Sequence, residues 1–351
     1  MTDPAQRLMG IDMAALEHWF AAHVPGSRGP LHLTLVAGGH SNLTYRVEDG
    51  AGANFALRRP PLGLLPSGAH DVAREYRVLA ALHATAVPVP VVVALCTDPA
   101  VMQAPFYVMQ WVAGRVPDSP AVVERLLPAA MDRQRTAFEL VDALAALHRL
   151  DIDAVGLGSL GAREDYLPRQ LERMRRNWRK VQTRDLTLVD ALHARLVRNC
   201  PAQRHTGIVH SDYRLGNVII APDGRLAAVL DWELCALGDV LVDLAFFMAN
   251  WDTPEDPWVN VWMAEPPTRA GGFPSREQMI ARYALKTGFE VQALGYYRAF
   301  CYWRSAVIAE GIKRRYQDGA MAEQTADPAD LEARVRGRLA LADQCLTEAG
   351  C

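Results

Sequence analysis

Residues 208–244 read IVHSDYRLGNVIIAPDGRLAAVLDWELCALGDVLVDL, and the local structure of this stretch decides how the rest is understood. Val218-Ile219-Ile220 is short and β-branched, Pro222-Asp223-Gly224 is turn chemistry, and Leu226 to Leu230 is apolar again, so the segment predicts a β-hairpin. A hairpin returns the chain to its starting end. Asn217 then stands just before the first strand and Asp231 just after the second, with Asp212 one short loop away. Two carboxylates and an amide oxygen gathered in this way suit a hard cation such as Mg²⁺, which takes oxygen ligands and shares them with phosphates. Asn217 and Asp231 are therefore the metal candidates, and Asp212 is the candidate to orient a hydroxyl and accept its proton. An ordinary surface hairpin with solvated polar ends is the competing reading, and it does not require this arrangement.

The same division of labour serves kinase-type phosphoryl transfer, in which an Asp of the catalytic loop is followed five positions later by an Asn and, beyond a hairpin, by a second Asp. At these residues the chain resembles the aminoglycoside phosphotransferase and choline kinase-like family. It is most similar to the branch found alone or fused to acyl-CoA dehydrogenases. His210 to Asn217 (HSDYRLGN) is similar to that branch's HGDYRLGN, Leu230 to Glu233 to its LDWE, and Gly238 to Ala245 (GDVLVDLA) to its GDPLxDLA. Two residues depart from the pattern: Ser211 replaces Gly and Val240 replaces Pro. The first puts a side chain where the backbone beside the active Asp is usually bare. The resemblance covers residues 30 to 310 and implies an α+β, protein-kinase-like two-lobed fold. A small N-terminal antiparallel sheet lobe, residues 1–112, is expected to bind nucleotide. A larger, mainly helical C-terminal lobe, residues 113–351, is expected to carry the catalytic loop, the metal site and the acceptor-binding helices.

Composition limits the alternatives. The chain has 351 residues, 50% of them hydrophobic, enough for two lobes with separate cores. A formal net charge of −3 exerts no global pull towards nucleic acid or an anionic membrane. Six cysteines, at 96, 200, 235, 301, 345 and 351, have neither metal-ligand nor paired spacing. Reduced thiols in a cytoplasmic protein follow, and no segment approaches a membrane-spanning apolar run. A monomer or homodimer is expected.

In the N-terminal third, residues 12 to 23 predict a packing helix, and Leu31 to Val36 a strand leading into Ala37-Gly38-Gly39-His40-Ser41-Asn42. A glycine-rich turn between antiparallel strands can lay backbone N–H groups over phosphates, although such turns also close plain hairpins. Its place in the order of motifs resembles the family's GG-x-SN loop, which makes Ser41 and Asn42 candidate nucleotide contacts. In the next strand, Phe55 and Leu57 share one face while Ala56 and Arg58 share the other. Arg58 occupies the position where the family usually has Lys, and no lysine precedes Lys180. A planar fork and a point charge bind phosphates differently. Residues 71 to 83 predict a helix in which Glu75, Val78, Leu79 and Leu82 form one stripe. Glu75 therefore points inward and needs a partner, for which Arg58 is the natural choice. Gln110-Trp111-Val112-Ala113-Gly114 resembles the hinge, and the resemblance implies that backbone groups at Gln110 and Val112 read the adenine edge.

Beyond residue 115 the pattern is mainly helical. His148 is expected to be structural, and Arg169 to Lys180 a solvated basic face. Residues 242 to 250 predict a buried helix anchored by Asp239 and Asp243. Trp251 to Gly272 is expected as a loop near the acceptor, residues 292 to 316 as a helix, and the stretch from 328 as a plain amphipathic helix. Glu233, Arg214, Tyr302 and Arg304 are the acceptor candidates. The expected function is an ATP- or GTP-dependent, Mg²⁺-requiring transfer of the γ-phosphate to a hydroxyl of a small molecule, with no nucleic-acid partner. Many arginines around the acceptor candidates favour a neutral or anionic acceptor over an aminoglycoside polycation, and the dehydrogenase association implies a hydroxyacyl compound. A catalytically impaired nucleotide-binding protein is the alternative, motivated by Arg58 and Ser211. A hydrolase triad is excluded, because the consecutive His210, Ser211 and Asp212 cannot form the required relay.

Overall fold

Alternating side chains build the first part of the chain into one antiparallel sheet. The structure, a computed structural model, describes residues 10–37, 42–61, 71–256, 265–319 and 328–351. Strands β1 (His32–Ala37), β2 (Leu43–Glu48), β3 (Asn54–Arg59), β4 (Val92–Cys96) and β5 (Phe106–Gln110) lie in the order β1-β2-β3-β5-β4. Tyr45, Val47, Leu57, Phe106 and Val108 form one apolar face. Helix α1 (Met13–His23) covers that face with Leu16, Trp19 and Phe20, helped by Val101 and Met102 of the short α3 (Pro99–Met102). Asp12 caps α1 by accepting the Ala15 N–H at 3.1 Å. On the opposite face the ladder sets Arg58 directly across from Tyr107. Helix α2 (Val72–Leu82) packs there, capped by Asp71 and burying Val72, Glu75, Val78, Leu79 and Leu82.

The chain divides into two compact units, residues 1–114 with 227–235 and residues 115–226 with 236–351. The nine-residue segment 227–235, which a division at 112/113 assigns to the second lobe, belongs with the first unit. Val229 donates to the Pro88 carbonyl at 2.8 Å, and the Arg74 guanidinium donates to the carbonyls of Glu233 and Cys235. Strand β7 (Val218–Ile220) leads into the expected turn, closed by the Gly224 N–H to the Ala221 carbonyl and the Ala221 N–H to Arg225, both at 2.9 Å. Strand β8 (Leu226–Val229) follows it.

The second unit is mainly helical. Its helices are α4 (Pro120–Leu126), α5 (Ala130–His148), α6 (Tyr166–Val181), α7 (Thr187–Arg198), α8 (Leu241–Ala249), α9 (Arg276–Thr287), α10 (Leu294–Gln317) and α11 (Pro328–Glu348). All nine residues of α8 are buried. The long α10 buries sixteen of its residues, packing against α8, α6 and α11, so it is surrounded rather than amphipathic. A strand pair, β6 (Thr206–Val209) against β9 (Ala236–Asp239), launches the catalytic loop from one end and α8 from the other. Neither strand stands out in the sequence: each has four residues, and ALGD has no β-branched side chain.

Candidate active site

In the first unit, the inward phase of Glu75 on α2 and of Arg58 on β3 makes them meet. Arg58 Nε lies 3.0 Å from Glu75 Oε2, and its Nη2 lies 2.6 Å from Asp231 Oδ1 and 3.7 Å from Glu233 Oε2. Three carboxylates therefore share one guanidinium in a setting where Glu75 is only 1% and Arg58 12% exposed. Burial pushes the Glu75 carboxyl up to about 7; Arg58 and the Trp232 N–H pull it down, whereas the charges of Asp231 and Glu233 push it further up. Burial works against the charged form of Arg58, but Glu75, Tyr107 and Asp231 outweigh it and hold the cation more firmly. The Tyr107 hydroxyl, hydrogen-bonded to Glu75, is raised well above its ordinary value by burial and by that carboxylate. Asn42 donates to Glu75 at 3.4 Å. Asp231 itself has φ 66°, the left-handed region that Asp tolerates better than most residues.

In the second unit, the catalytic loop hangs from one buried carboxylate. Asp243 of α8 accepts the N–H groups of His210 at 2.5 Å and Ser211 at 2.8 Å, and His148 Nε2 lies 3.4 Å away. Burial alone would raise this carboxyl; the hydrogen bond and charge of His148, with His210, lower it below the ordinary aspartate value. His148 Nδ1 meets the Tyr283 hydroxyl at 2.7 Å, so both ring nitrogens are occupied and the residue is structural. Asp239 accepts from the Leu241 N–H and the Tyr297 hydroxyl, which fixes the start of α8.

Above that anchor, Asn217 Nδ2 donates to the Asp212 carboxylate at 2.6 Å and to its main-chain carbonyl at 2.9 Å. Arg214 Nε stands 3.5 Å from the other carboxylate oxygen. Gly216 makes room for this: a Cβ there would fall 2.3 Å from Arg214 Nη1. Ser211 adopts φ 72°, which explains why glycine is the easier residue at this point of the motif. The strained peptide is held by its N–H on Asp243, by its carbonyl on Arg304 Nη2 at 3.0 Å, and by a side-chain hydrogen bond to Tyr166.

Asp212, Asn217 and Arg214 thus come together in the second unit, and Asn42, Arg58, Glu75, Asp231 and Glu233 in the first. Ser41 and most of the glycine-rich turn lie outside the described residues. Gln110 is exposed and its N–H is taken by the Val91 carbonyl; Val112 is half-buried. Tyr302 and Arg304 are buried at 3% and 6%: the Tyr302 ring carries Arg338 at 5.3 Å, and Arg304 stacks on Phe246 while bonding Ser211. Glu310 is taken up by Thr183 and Arg184. The arginines of α6 form an exposed stripe through Arg169, Arg173, Arg176 and Lys180. Sequence reasoning did not single out Arg338, and α11 shows nothing there but one arginine among several.

The donor chemistry fits a hard cation. Because the Asn217 amide nitrogen is spent on Asp212, its oxygen is left as an acceptor, and Asp231 keeps one carboxylate oxygen that Arg58 does not bond. Among the described residues no three His, Cys, Asp or Glu side chains gather in metal-holding geometry.

Residues 32–270 match the family described as Phosphotransferase enzyme family. The chain belongs to this phosphotransferase family. Curated relatives include acyl-CoA dehydrogenase family member 10 of Mus musculus, 32% identical over 93% of this chain and 30% of its own length. Acyl-CoA dehydrogenase family member 11 of Rattus norvegicus is 31% identical over 88% of this chain and 40% of its length. The chain thus spans less than half of the curated relatives it matches. Among solved structures, a protein of Ralstonia eutropha carried under the provisional name aminoglycoside phosphotransferase superposes with a TM-score of 0.81, at 32% identity, over 96% of this chain and 98% of that one. A choline/ethanolamine kinase family protein from Mesorhizobium loti, 19% identical, has a TM-score of 0.56 over 95% of this chain and 95% of its own. The fold is accordingly the kinase-like one of these enzymes: an N-terminal antiparallel sheet followed by a helical C-terminal region. Among the described residues no helix is long and apolar enough to cross a membrane.

Proposed function

We propose that the chain is a small-molecule kinase that moves the γ-phosphate of ATP, or GTP, to a hydroxyl of its acceptor. The observation that carries this reading is the grip of Asn217 on Asp212, an amide donating at 2.6 Å to a carboxylate whose other oxygen faces Arg214. A carboxylate fixed in orientation but still an acceptor is suited to take the proton of an attacking hydroxyl. Asn217, through its amide oxygen, and Asp231, through its free carboxylate oxygen, would hold Mg²⁺. Bound there, the ion supplies charge neutralisation for the transferring phosphoryl group. Arg58, aligned by Glu75, contacts the nucleotide phosphates, with Ser41 and Asn42 on the glycine-rich turn and the backbone of Gln110 and Val112 at the base. Arg214 and Glu233 face the acceptor, and Tyr302 and Arg304 support it from behind.

A hydroxyacyl acceptor is favoured over an aminoglycoside. Arg214, Arg304 and Arg338 stand by the catalytic loop or the residues around it, and curated relatives carry the acyl-CoA dehydrogenase name. The six free cysteines support a reducing, cytoplasmic setting. The second reading, nucleotide binding without transfer, draws on the 2.6 Å contact that ties Arg58 to Asp231.

The test is ATP consumption against a panel of hydroxyacyl thioesters, hydroxy acids, sugars, choline and aminoglycosides. Wild type is expected to turn over one acceptor class, and Asp212→Ala to lose about 10²–10⁴-fold in kcat while retaining nucleotide affinity. Nucleotide binding by wild type with no acceptor-dependent ATP consumption would establish the binding-only reading, and consumption equal in wild type and Asp212→Ala would remove Asp212 from the chemistry.

A further inference from the structure

Helix α2 carries two neighbouring charged side chains that hold different parts of the first unit. Glu75 points inward and bonds Arg58, whereas the half-buried Arg74, one position earlier, reaches the segment that follows β8. Arg74 Nη2 donates to the Cys235 carbonyl at 2.5 Å, and its Nη1 donates to the Glu233 carbonyl at 3.4 Å. Both acceptors are main-chain oxygens in one short run, 231–235, which begins with Asp231 at φ 66°. A planar guanidinium that donates to two carbonyls at once fixes the backbone between them.

The same run is held at its start and middle as well. The Trp232 N–H bonds Glu75, the Trp232 indole donates to the Val229 carbonyl at 3.0 Å, and the Cys235 N–H returns to the Trp232 carbonyl at 3.0 Å. Arg74 closes its far end against α2. A residue other than glycine stays in the left-handed region only where its surroundings over-determine it. Asp231 is such a residue, and the direction of the carboxylate oxygen that Arg58 does not bond depends on that backbone. Without the two carbonyl bonds the run can relax and turn Asp231 with it.

We infer that Arg74 is a positioning residue for the divalent cation: by pinning the carbonyls of Glu233 and Cys235 to α2, it keeps the Asp231 carboxylate aimed for metal binding. This rests on the proposal that Asp231 holds Mg²⁺. Arg74 acts through the backbone of 231–235 and not by contact with the ion. One helix then serves both halves of the metal–nucleotide site, with Glu75 aligning Arg58 for the phosphates and Arg74 aligning Asp231 for the metal.

The experiment measures the affinity of the full chain for a fluorescent ATP analogue in excess Mg²⁺ and in EDTA, so that the ratio of the two reports what the metal adds. Wild type is expected to bind more tightly with Mg²⁺. Arg74→Met should lose about tenfold or more of that gain, as the loss of bonds from a charged donor implies, while its affinity in EDTA stays within about twofold of wild type. Arg74→Lys, whose single ammonium cannot span both carbonyls as the fork does, should keep part of the gain. Arg77→Met, exposed on the same helix, should match wild type. A merely structural role for Arg74 lowers both affinities together. The inference is therefore overturned if Arg74→Met keeps the wild-type ratio, or if it weakens binding equally in Mg²⁺ and in EDTA. Should melting curves show that Arg74→Met does not fold, the lysine variant decides: a reduced ratio supports the inference and a wild-type ratio overturns it. A wild-type protein that binds equally with and without Mg²⁺ loses both the metal role of Asp231 and the inference; a wild-type gain that the Arg74 variants leave untouched removes Arg74 alone.

Discussion

Two buried charge clusters, one in each unit, are built on opposite principles. Around Asp243 a single carboxylate receives two backbone N–H groups and a histidine, its charged form is favoured, and its bonding is complete. Around Arg58 three carboxylates compete for one guanidinium, and the most buried of them is pushed to about 7. The first arrangement is finished and holds a loop in shape. The second carries surplus negative charge that a cation can use, which is the property a metal–nucleotide site needs.

The largest effect should come from breaking the finished cluster. Asp243→Asn keeps the volume but turns one acceptor into a donor facing an N–H, so a buried group loses its partner. A loss of about 3 kcal/mol in urea unfolding at neutral pH is expected. Arg58→Met removes the guanidinium that the three carboxylates share, yet Glu75 can take up a proton, so its loss should shrink as the pH is lowered from 8 to 6. If the two variants lose the same stability with the same pH dependence, the contrast drawn between the clusters is wrong.

A milder test separates the clusters by pH in the wild type. The Glu75 carboxyl is raised from 4.5 to about 7, so the folded state binds its proton more tightly than the unfolded chain does. Its contribution is fully present below 4.5 and is lost as pH rises through about 7, a change on the order of 3 kcal/mol. Asp243 has the opposite sign: its pKa is depressed below 3.8, so its contribution is present above 3.8 and disappears as pH falls through the folded value. Glu75→Gln should flatten the neutral limb of the melting-temperature profile and leave the acid limb in place. A neutral limb unchanged in Glu75→Gln would assign that titration to some other group.

Much of this was legible in the sequence because it depends on local period. The helical phase of Glu75 and the strand phase of Arg58 are enough to predict that they meet, and the inward run of residues 242–250 is enough to predict α8. Signals for α7 and α9 were also present: Val189, Leu192, His193 and Leu196 recur at helical spacing, and Ser275 with Gln278 forms a capping box. Other features have no local signature. The short β6 and β9 exist because they pair with each other, and the membership of 227–235 in the first unit depends on Pro88 and Arg74, more than a hundred positions earlier. Arg338 becomes distinctive only when Tyr302 and the catalytic loop close around it.

The smallest effect concerns the residue that departs from the motif. At φ 72° a Cβ crowds the neighbouring carbonyl at a cost of about 1–2 kcal/mol, which Ser211 bears and glycine does not. Against that, Ser211→Gly gives up the hydrogen bond to Tyr166, worth about 1 kcal/mol, and adds freedom to the unfolded chain. The terms nearly cancel, so Ser211→Gly should fall within about 0.5 kcal/mol of wild type. Ser211→Ala keeps the strain and loses the bond, and should fall about 1 kcal/mol below it. Because Asp243 and Arg304 hold the peptide through backbone atoms that neither change touches, the loop should keep its shape in both variants. The order wild type, Gly, Ala in chemical denaturation thus reports whether the finished cluster is strong enough to impose this backbone. If Ala proves as stable as Gly, Ser211 is not held in the left-handed region in solution.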